Sequence, residues 1–255
     1  LEAVEVEADG PLAGRYRLGE RIGSGGFGDV YAAVDERDGR EVVVKTLRSG
    51  AVEGVQLQRF FNEARLASRL AHPNIVRTLD FGHADDGRLF IAMERLRGVD
   101  LEGALRTGGP LSATRVCGIG LGVLRALEEA HGNGLIHRDL KPANIFLVEG
   151  GQGAEAVRVI DFGIAKTLEP GDPQLTKANM VVGTVAYMAP EPFIGEPLDG
   201  RSDLYSLGCV LYALATGAAP FDHADSSTVL LSHLCEEPPP PRERNPSLPP
   251  ALEQL

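Results

Sequence analysis

Between Arg15 and Glu94 the apolar positions fall mostly into short β-like runs. Residues 15–23 (RYRLGERIG) and 27–34 (FGDVYAAV) flank a Gly-rich turn, Gly23-Ser24-Gly25-Gly26-Phe27-Gly28-Asp29-Val30. Asp38-Gly39 marks a tight hairpin turn into Glu41-Val-Val-Val-Lys45, a buried run ending on a lysine. The pattern then changes period. Over 56–71, Leu57, Phe60, Phe61, Ala64, Ala67 and Leu70 recur at helical spacing, and His72-Pro73-Asn74 ends that helix. Residues 75–82 and 88–94 predict two more strands joined by Asp86-Gly87. The stretch to about residue 95 is therefore about five antiparallel strands and one long helix. Arg95-Leu96-Arg97-Gly98 reads as a connector.

Beyond it the pattern is mainly helical. From Leu111 to His131 the buried stripe is Val116, Ile119, Val123, Leu124, Leu127 and Ala130, with Ser112 as N-cap and Gly132 near the end. Arg125, Glu128 and Glu129 lie off it as a solvated face. IFLV (145–148) and VRVI (157–160) predict a hairpin with a Gly-rich loop. Residues 164–189 show little periodicity, which argues for an ordered or switchable loop. Residues 202–216 form the most apolar helix, stopped by Gly217, and 225–235 a short one before a Pro-rich surface connector. Asp203, in the first turn of that apolar helix, either caps it or holds another backbone.

Composition narrows the classes. The 255 residues suffice for one large domain or two small lobes, and 43% hydrophobic with 24% charged residues is a globular balance. Twenty-five basic against 36 acidic residues give a net charge of −11, which argues against non-specific nucleic-acid binding. Part of that acidity sits in LEAVEVEADG, expected to be a solvated leader over 1–14. Cys117, Cys209 and Cys235 are odd in number and far apart, so a disulfide framework or a zinc site is not expected and a reducing compartment fits. No run approaches the ~18 apolar residues of a membrane span. The chain begins at Leu1 without a signal-peptide pattern and is expected to be a fragment.

The chemistry concentrates in Ile136–Lys166. The predicted hairpin folds Asp161 back beside Asp139 and Asn144, with Lys141 among them. A carboxylate, an amide and a second carboxylate converging suit Mg2+ and phosphate rather than zinc or a nucleophilic triad. Upstream, the glycines of 23–28 either cradle a phosphate with backbone amides or form a flexible hairpin tip. Lys45 is either a strand-end charge or a phosphate ligand. Glu63 is either a solvated helix charge or the partner that positions Lys45.

His137-Arg138-Asp139-Leu140-Lys141-Pro142-Ala143-Asn144, then Asp161-Phe162-Gly163 and Ala189-Pro190-Glu191, closely resemble the protein-kinase signature set. The Gly-rich loop, VVVK and Glu63 precede them in the expected order, so the resemblance covers about 15–255. The DLKPAN wording resembles the serine/threonine branch, and the spacing and MAPE wording resemble bacterial Hanks-type kinases. The resemblance implies an α+β, bilobal fold: a small five-stranded antiparallel β lobe with one helix over 15–97, and a mainly α-helical lobe over 98–255.

By matched position, Ile22, Gly23, Gly25 and Gly28 would cover ATP, and Lys45 would pair the α- and β-phosphates with Glu63. Asp139 would accept the acceptor-hydroxyl proton, Lys141 would neutralise the moving phosphoryl group, and Asn144 and Asp161 would hold Mg2+, with Mn2+ as its substitute. Glu94 and Leu96 would offer backbone groups to adenine, Met93 would be the gatekeeper, and Val30, Val43 and Phe146 would sandwich the base. Val43 stands where the family more often has Ala, which tightens that pocket. Ala67, Leu79, His137 and Phe162 match the stacked residues that link the lobes, or are ordinary core.

Arg138 before Asp139 implies control by phosphorylation of the loop, with Thr176 as the site ahead of Thr167 and Thr184 orienting Asp139 and Lys141. Ile164 resembles kinases that prefer threonine acceptors. The family continues beyond Leu255, so Glu191 is expected to lack its partner, and the lower part of the second lobe to expose apolar surface. The resemblance implies a cytoplasmic serine/threonine kinase acting on protein substrates, with two copies pairing for phosphorylation in trans. No nucleic acid or membrane contact is expected within this stretch, and any anchor would lie outside it. A pseudokinase scaffold or a small-molecule phosphotransferase are the competing readings.

Overall fold

The computed structural model describes residues 10–25, 28–47, 55–149, 155–162 and 185–253. They form two compact units, Leu1–Arg69 with Arg77–Arg95, and Leu70–Val76 with Leu96–Leu255.

In the first unit, β1 (Tyr16–Gly25), β2 (Gly28–Asp35), β3 (Arg40–Leu47), β4 (Thr78–His83) and β5 (Leu89–Glu94) make an antiparallel sheet ordered β1-β2-β3-β5-β4. The single helix α1 (Val55–Arg69) packs against β4, with Phe61 facing Phe81 at 6.3 Å between ring centres. Residues alternate between faces along a strand, so the buried set Ala33, Val42, Val44 and Ala92 joins Tyr16, Leu12, Ala84 and Phe90 in one core. The intervening residues necessarily point the other way.

A charged clasp ties the two edges of this sheet. Arg15, just ahead of β1, donates through Nε and Nη2 to Asp35 at the end of β2 and through Nη1 to Asp80 on β4. Tyr16 Oη donates to the same Asp80 oxygen at 3.0 Å, and the Arg15 guanidinium lies over the Tyr16 ring. β1 and β4 are the two outer strands, so one arginine joins both ends of the sheet order.

The second unit opens on β6 (Gly98–Asp100), which pairs with β7 (Ile145–Glu149), itself paired with β8 (Glu155–Val159). The hairpin of β7 and β8 is the one expected; β6 is an addition made from the expected connector. Residues 70–76 belong here because the main chain of Asn74 and Val76 bonds both sides of Val159, at 2.8 and 2.9 Å. Two helices follow, α2 (Leu101–Gly108), capped by Asp100, and α3 (Ala113–Gly132), capped by Ser112. Helix α2 buries only Leu101, so no stripe announced it in the sequence. Next come α4 (Gly200–Thr216), α5 (Ser226–Cys235) and α6 (Pro241–Arg244). Asp199 caps α4, and Gly217 ends it in the left-handed region at φ 91°.

Helix α3 packs on α4 and β8, and a Cβ at Gly122 would meet Val157 at 2.9 Å, so glycine permits that approach. Leu124 corrects the expected stripe. It is 41% exposed, because it sits about 100° around from buried Val123, on the side where Leu121 (56%) and Leu204 of α4 (47%) are also exposed. These leucines line a hollow of about 390 Å3. Glu191, expected to lack its arginine, accepts from a hydroxyl. Ser202 Oγ donates to its Oε1 at 3.2 Å, while Oε2 is buried with no hydrogen-bond partner among the described residues.

The clasp makes a pH prediction. The Arg15 guanidinium holds the Asp35 carboxyl below its ordinary value of 3.8. A depressed carboxyl stabilises the fold above that value and loses its contribution as pH falls through the lower, folded value. Arg15→Met should cost about 2 kcal/mol at pH 7 and flatten the fall in stability below pH 4. Urea unfolding of both proteins between pH 3 and pH 7 measures it.

Candidate active site

The loop from α3 to β7 carries the charged cluster and is held from beneath by one carboxylate. Asp203, 1% exposed in the first turn of α4, accepts the His137 N–H at Oδ2 (2.8 Å) and the Arg138 N–H at Oδ1 (2.9 Å). Of its two sequence readings, Asp203 is therefore the one that holds another backbone. A third donor, unforeseen from sequence, is His131 Nε2 at the end of α3, 2.7 Å from Oδ2. Gly200 makes room for it: a Cβ there would lie 2.7 Å from His131 Nδ1.

His137 is fully buried and satisfied at both nitrogens. Nδ1 accepts the Asp139 N–H at 3.3 Å, which leaves the proton on Nε2, 3.0 Å from the Ile160 carbonyl. Its ring lies 4.8 Å from that of Phe162. The histidine thus ties the residue before Asp161 to the loop of Asp139. A second tie runs from Ile160 N–H to the Asn144 carbonyl at 2.9 Å.

These ties bring the expected polar groups together. Asn144 Nδ2 donates to the Asp139 carbonyl (2.8 Å) and to Asp139 Oδ2 (3.2 Å). Lys141 Nζ lies 3.2 Å from the same Oδ2. Asp161 directly follows Ile160, whose two main-chain groups are fixed to this loop. Arg138 (φ 63°) and Asp161 (φ 56°) both occupy the left-handed region, which costs an L-residue roughly 1–2 kcal/mol. The surrounding hydrogen bonds hold them there.

With its amide nitrogen committed to Asp139, Asn144 has its side-chain oxygen left as the atom that could meet a metal. Amide oxygen plus carboxylate is a hard-oxygen pair. No group of three or more His, Cys, Asp or Glu residues suited to a metal occurs among the described residues. Two protein oxygens completed by phosphate and water fit Mg2+, which is seldom bound by an all-protein cage.

The nucleotide residues of the first unit are organised by register. Val30 pairs with Lys45 and Lys45 with Ile91, while Val43 pairs with Met93. Directly paired residues share a face, so Val30, Val43, Lys45 and Met93 lie together on the face opposite the Tyr16–Phe90 core. Ile22, Gly23 and Gly25 lie on β1, and Glu63 on α1. Gly28 has a local reason to be glycine, since a Cβ would overlap the Thr46 carbonyl oxygen on β3. Gly23 has none, with Val30 Cβ at 3.6 Å. Glu94 donates its N–H to the Arg77 carbonyl and accepts the Arg77 N–H at Oε1, so any backbone group it offers a base is its carbonyl.

Leu96 and half-buried Phe146, on β7, belong to the second unit. Of the four stacking residues, His137 and Phe162 are in contact, while Ala67 and Leu79 lie in the first unit. Gly163, Ile164, Thr167, Thr176 and Thr184 lie outside the described residues.

Residues 16–247 match the protein kinase domain family. The chain is 46% identical over 249 residues to serine/threonine-protein kinase pkn3 of Myxococcus xanthus, covering 96% of this chain and 46% of that protein. It is 41% identical over 241 residues to serine/threonine-protein kinase PknB of Mycobacterium tuberculosis, covering 93% and 38%. It spans less than half the length of these relatives. The crystal structure of the Mycobacterium tuberculosis PknI kinase domain superposes with a TM-score of 0.72 at 31% identity, over 94% of this chain and 86% of that one.

Asp203→Ala should strip two buried N–H groups of their acceptor and cost about 3 kcal/mol, whereas His131→Ala should cost about 1 kcal/mol. Shifts in the urea midpoint measure both.

Proposed function

This chain belongs to the protein kinase family, and we propose that it is a serine/threonine kinase domain that moves the γ-phosphoryl group of ATP to protein hydroxyls. The observation that carries the reading is Asp139 with Asn144 and Lys141 both at its Oδ2, on a loop fixed by Asp203. In this reading Asp139 orients the acceptor hydroxyl and takes its proton as the oxygen bonds to phosphorus and ADP departs. Lys141 offsets charge on the transferring oxygens. Lys45 engages the phosphates and is positioned by Glu63, while Val30, Val43, Met93, Phe146 and the Glu94–Leu96 backbone receive the base. Asn144 and Asp161 hold the divalent ion, which screens the phosphate charge; Mg2+ is the proposed ion and Mn2+ its substitute. Such electrostatic positioning is most of what phosphoryl transfer asks of a protein.

The proposed compartment of this ATP-using domain is the cytoplasm. Control comes from phosphorylation of Thr176 by a second copy, with the phosphate paired to an arginine cluster that includes Arg138.

Asp139→Asn should retain ATP binding and lose transfer by about 10²–10⁴-fold, read as phosphate incorporated into casein. Equal activity in both proteins would sink the assignment; ATP binding without transfer in the wild type would favour the scaffold reading. EDTA should abolish transfer and added Mg2+ restore it. Peptide mapping after incubation with ATP should locate phosphate on Thr176, at a rate that rises with protein concentration. A fully active sample unmodified at Thr176 would overturn that part.

A further inference from the structure

A buried imidazole outside the catalytic cluster faces the main chain just before Ala189-Pro190-Glu191. His233, near the end of α5, is 7% exposed. Its Nδ1 lies 2.7 Å from Tyr205 Oη on α4, and the Phe221 ring stands edge-on to it at 4.9 Å. Val185 and Ala186 pack into one buried cluster with Ala219, Phe221 and Val229, with Tyr187 at its margin. The His233 Nε2 is buried and has no hydrogen-bond partner among the described residues. The main chain of Ala186 and Val185 nonetheless lies close enough to favour a proton on this ring.

The tautomer follows from chemistry. Burial disfavours the imidazolium and pushes this histidine below its ordinary 6.5, so the ring is neutral at pH 7. Burial also pushes the Tyr205 hydroxyl far above its ordinary value, so it stays protonated and can donate. When Tyr205 donates to Nδ1, the imidazole proton sits on Nε2. A buried N–H donor then lies near the main chain of Val185 and Ala186 with no hydrogen bond made, and a buried donor without an acceptor is unfavourable. A small displacement of residues 185–187 would satisfy it.

We propose that His233 is a positioning residue for the protein acceptor: its Nε2–H fixes residues 185–187 in the acceptor-binding arrangement by donating to the Val185 or Ala186 carbonyl, with Tyr205 setting the tautomer. The proposal rests on the kinase reading above and further takes residues 185–187, which lead into Ala189-Pro190-Glu191, as part of the surface that receives the acceptor protein. His233 touches neither the phosphates nor the catalytic carboxylate, so its effect falls on acceptor affinity. The Val185 carbonyl already accepts the Met188 N–H at 3.1 Å and keeps a second lone pair for this bond.

The test uses the full chain with ATP and casein. His233→Phe keeps a flat ring and removes the donor, and His233→Asn offers an amide only near the Nδ1 position. Both should raise the casein KM about tenfold and leave the ATP KM unchanged. His233→Gln, whose amide nitrogen reaches the Nε2 position, should restore the casein KM to within about threefold. An unchanged casein KM in His233→Phe, a failure of Gln to rescue, or parallel changes in the ATP KM would overturn the proposal. Imidazole nitrogen NMR of the wild type supplies a measurement that needs no activity and no variant. Protonation at Nε2, lost in favour of mixed tautomers in Tyr205→Phe, is expected, and a proton on Nδ1 would overturn it. A wild type that shows this tautomer but transfers no phosphate would refute the kinase reading, and the acceptor-positioning role with it.

Discussion

The carboxylate of Asp203 is the constraint on which the charged loop depends. It has both oxygens buried and three donors directed at them, two of which are consecutive main-chain N–H groups. Two successive peptide groups fixed to a rigid helix determine where the next residue points, and that residue is Asp139. A helix that is mostly apolar keeps this carboxylate dry, and a dry carboxylate binds N–H groups more strongly than a wet one. The apolar character of α4 and the polarity of the loop above it are thus parts of one device. The same carboxylate would be costly to bury alone; the three donors offset that cost.

From Asp203 the order passes to Asn144 and Asp161 through His137. The ring is bonded at both nitrogens, accepting from one main-chain group and donating to another. It therefore behaves as a rigid strut. Its contact with Phe162 extends the strut to the residue after Asp161. The left-handed Arg138 and Asp161 mark the two points where the chain must turn sharply to bring Asp139 and Asp161 to one place. The strain is the geometric cost of that convergence, borne by the hydrogen bonds on either side.

Much of this was legible in the residues alone. The sheet, the long helix and the β7–β8 hairpin each announce themselves by period and turn residues. Asp139, Lys141 and Asn144 lie within six residues, so any compact loop brings them together. What was hidden depends on long-range approach. His131 reads as a helix-end histidine, and nothing in its local sequence says that a carboxylate 72 positions later lies against it. Helix α2 and strand β6 are too short to show a period, and they form because Asp100 caps one and β7 pairs with the other. Leu124 was misplaced because helical spacing fixes a face only to within one residue.

The glycines show why a motif and its physical cause have to be separated. Gly28 belongs to the loop pattern that suggests phosphate, yet the Thr46 carbonyl already excludes any side chain there. The sheet alone would select glycine at that position, whatever the loop binds. Gly23 is under no such demand, so a side chain would fit the fold there. If phosphate approach acts on these two glycines, its signature has to be sought at Gly23, where packing is silent. The stronger structural argument for a nucleotide face is the register that sets Lys45 beside the apolar side chains of Val30, Val43 and Met93 on one face of the sheet. A cation next to apolar side chains suits a ligand that is apolar at one end and anionic at the other.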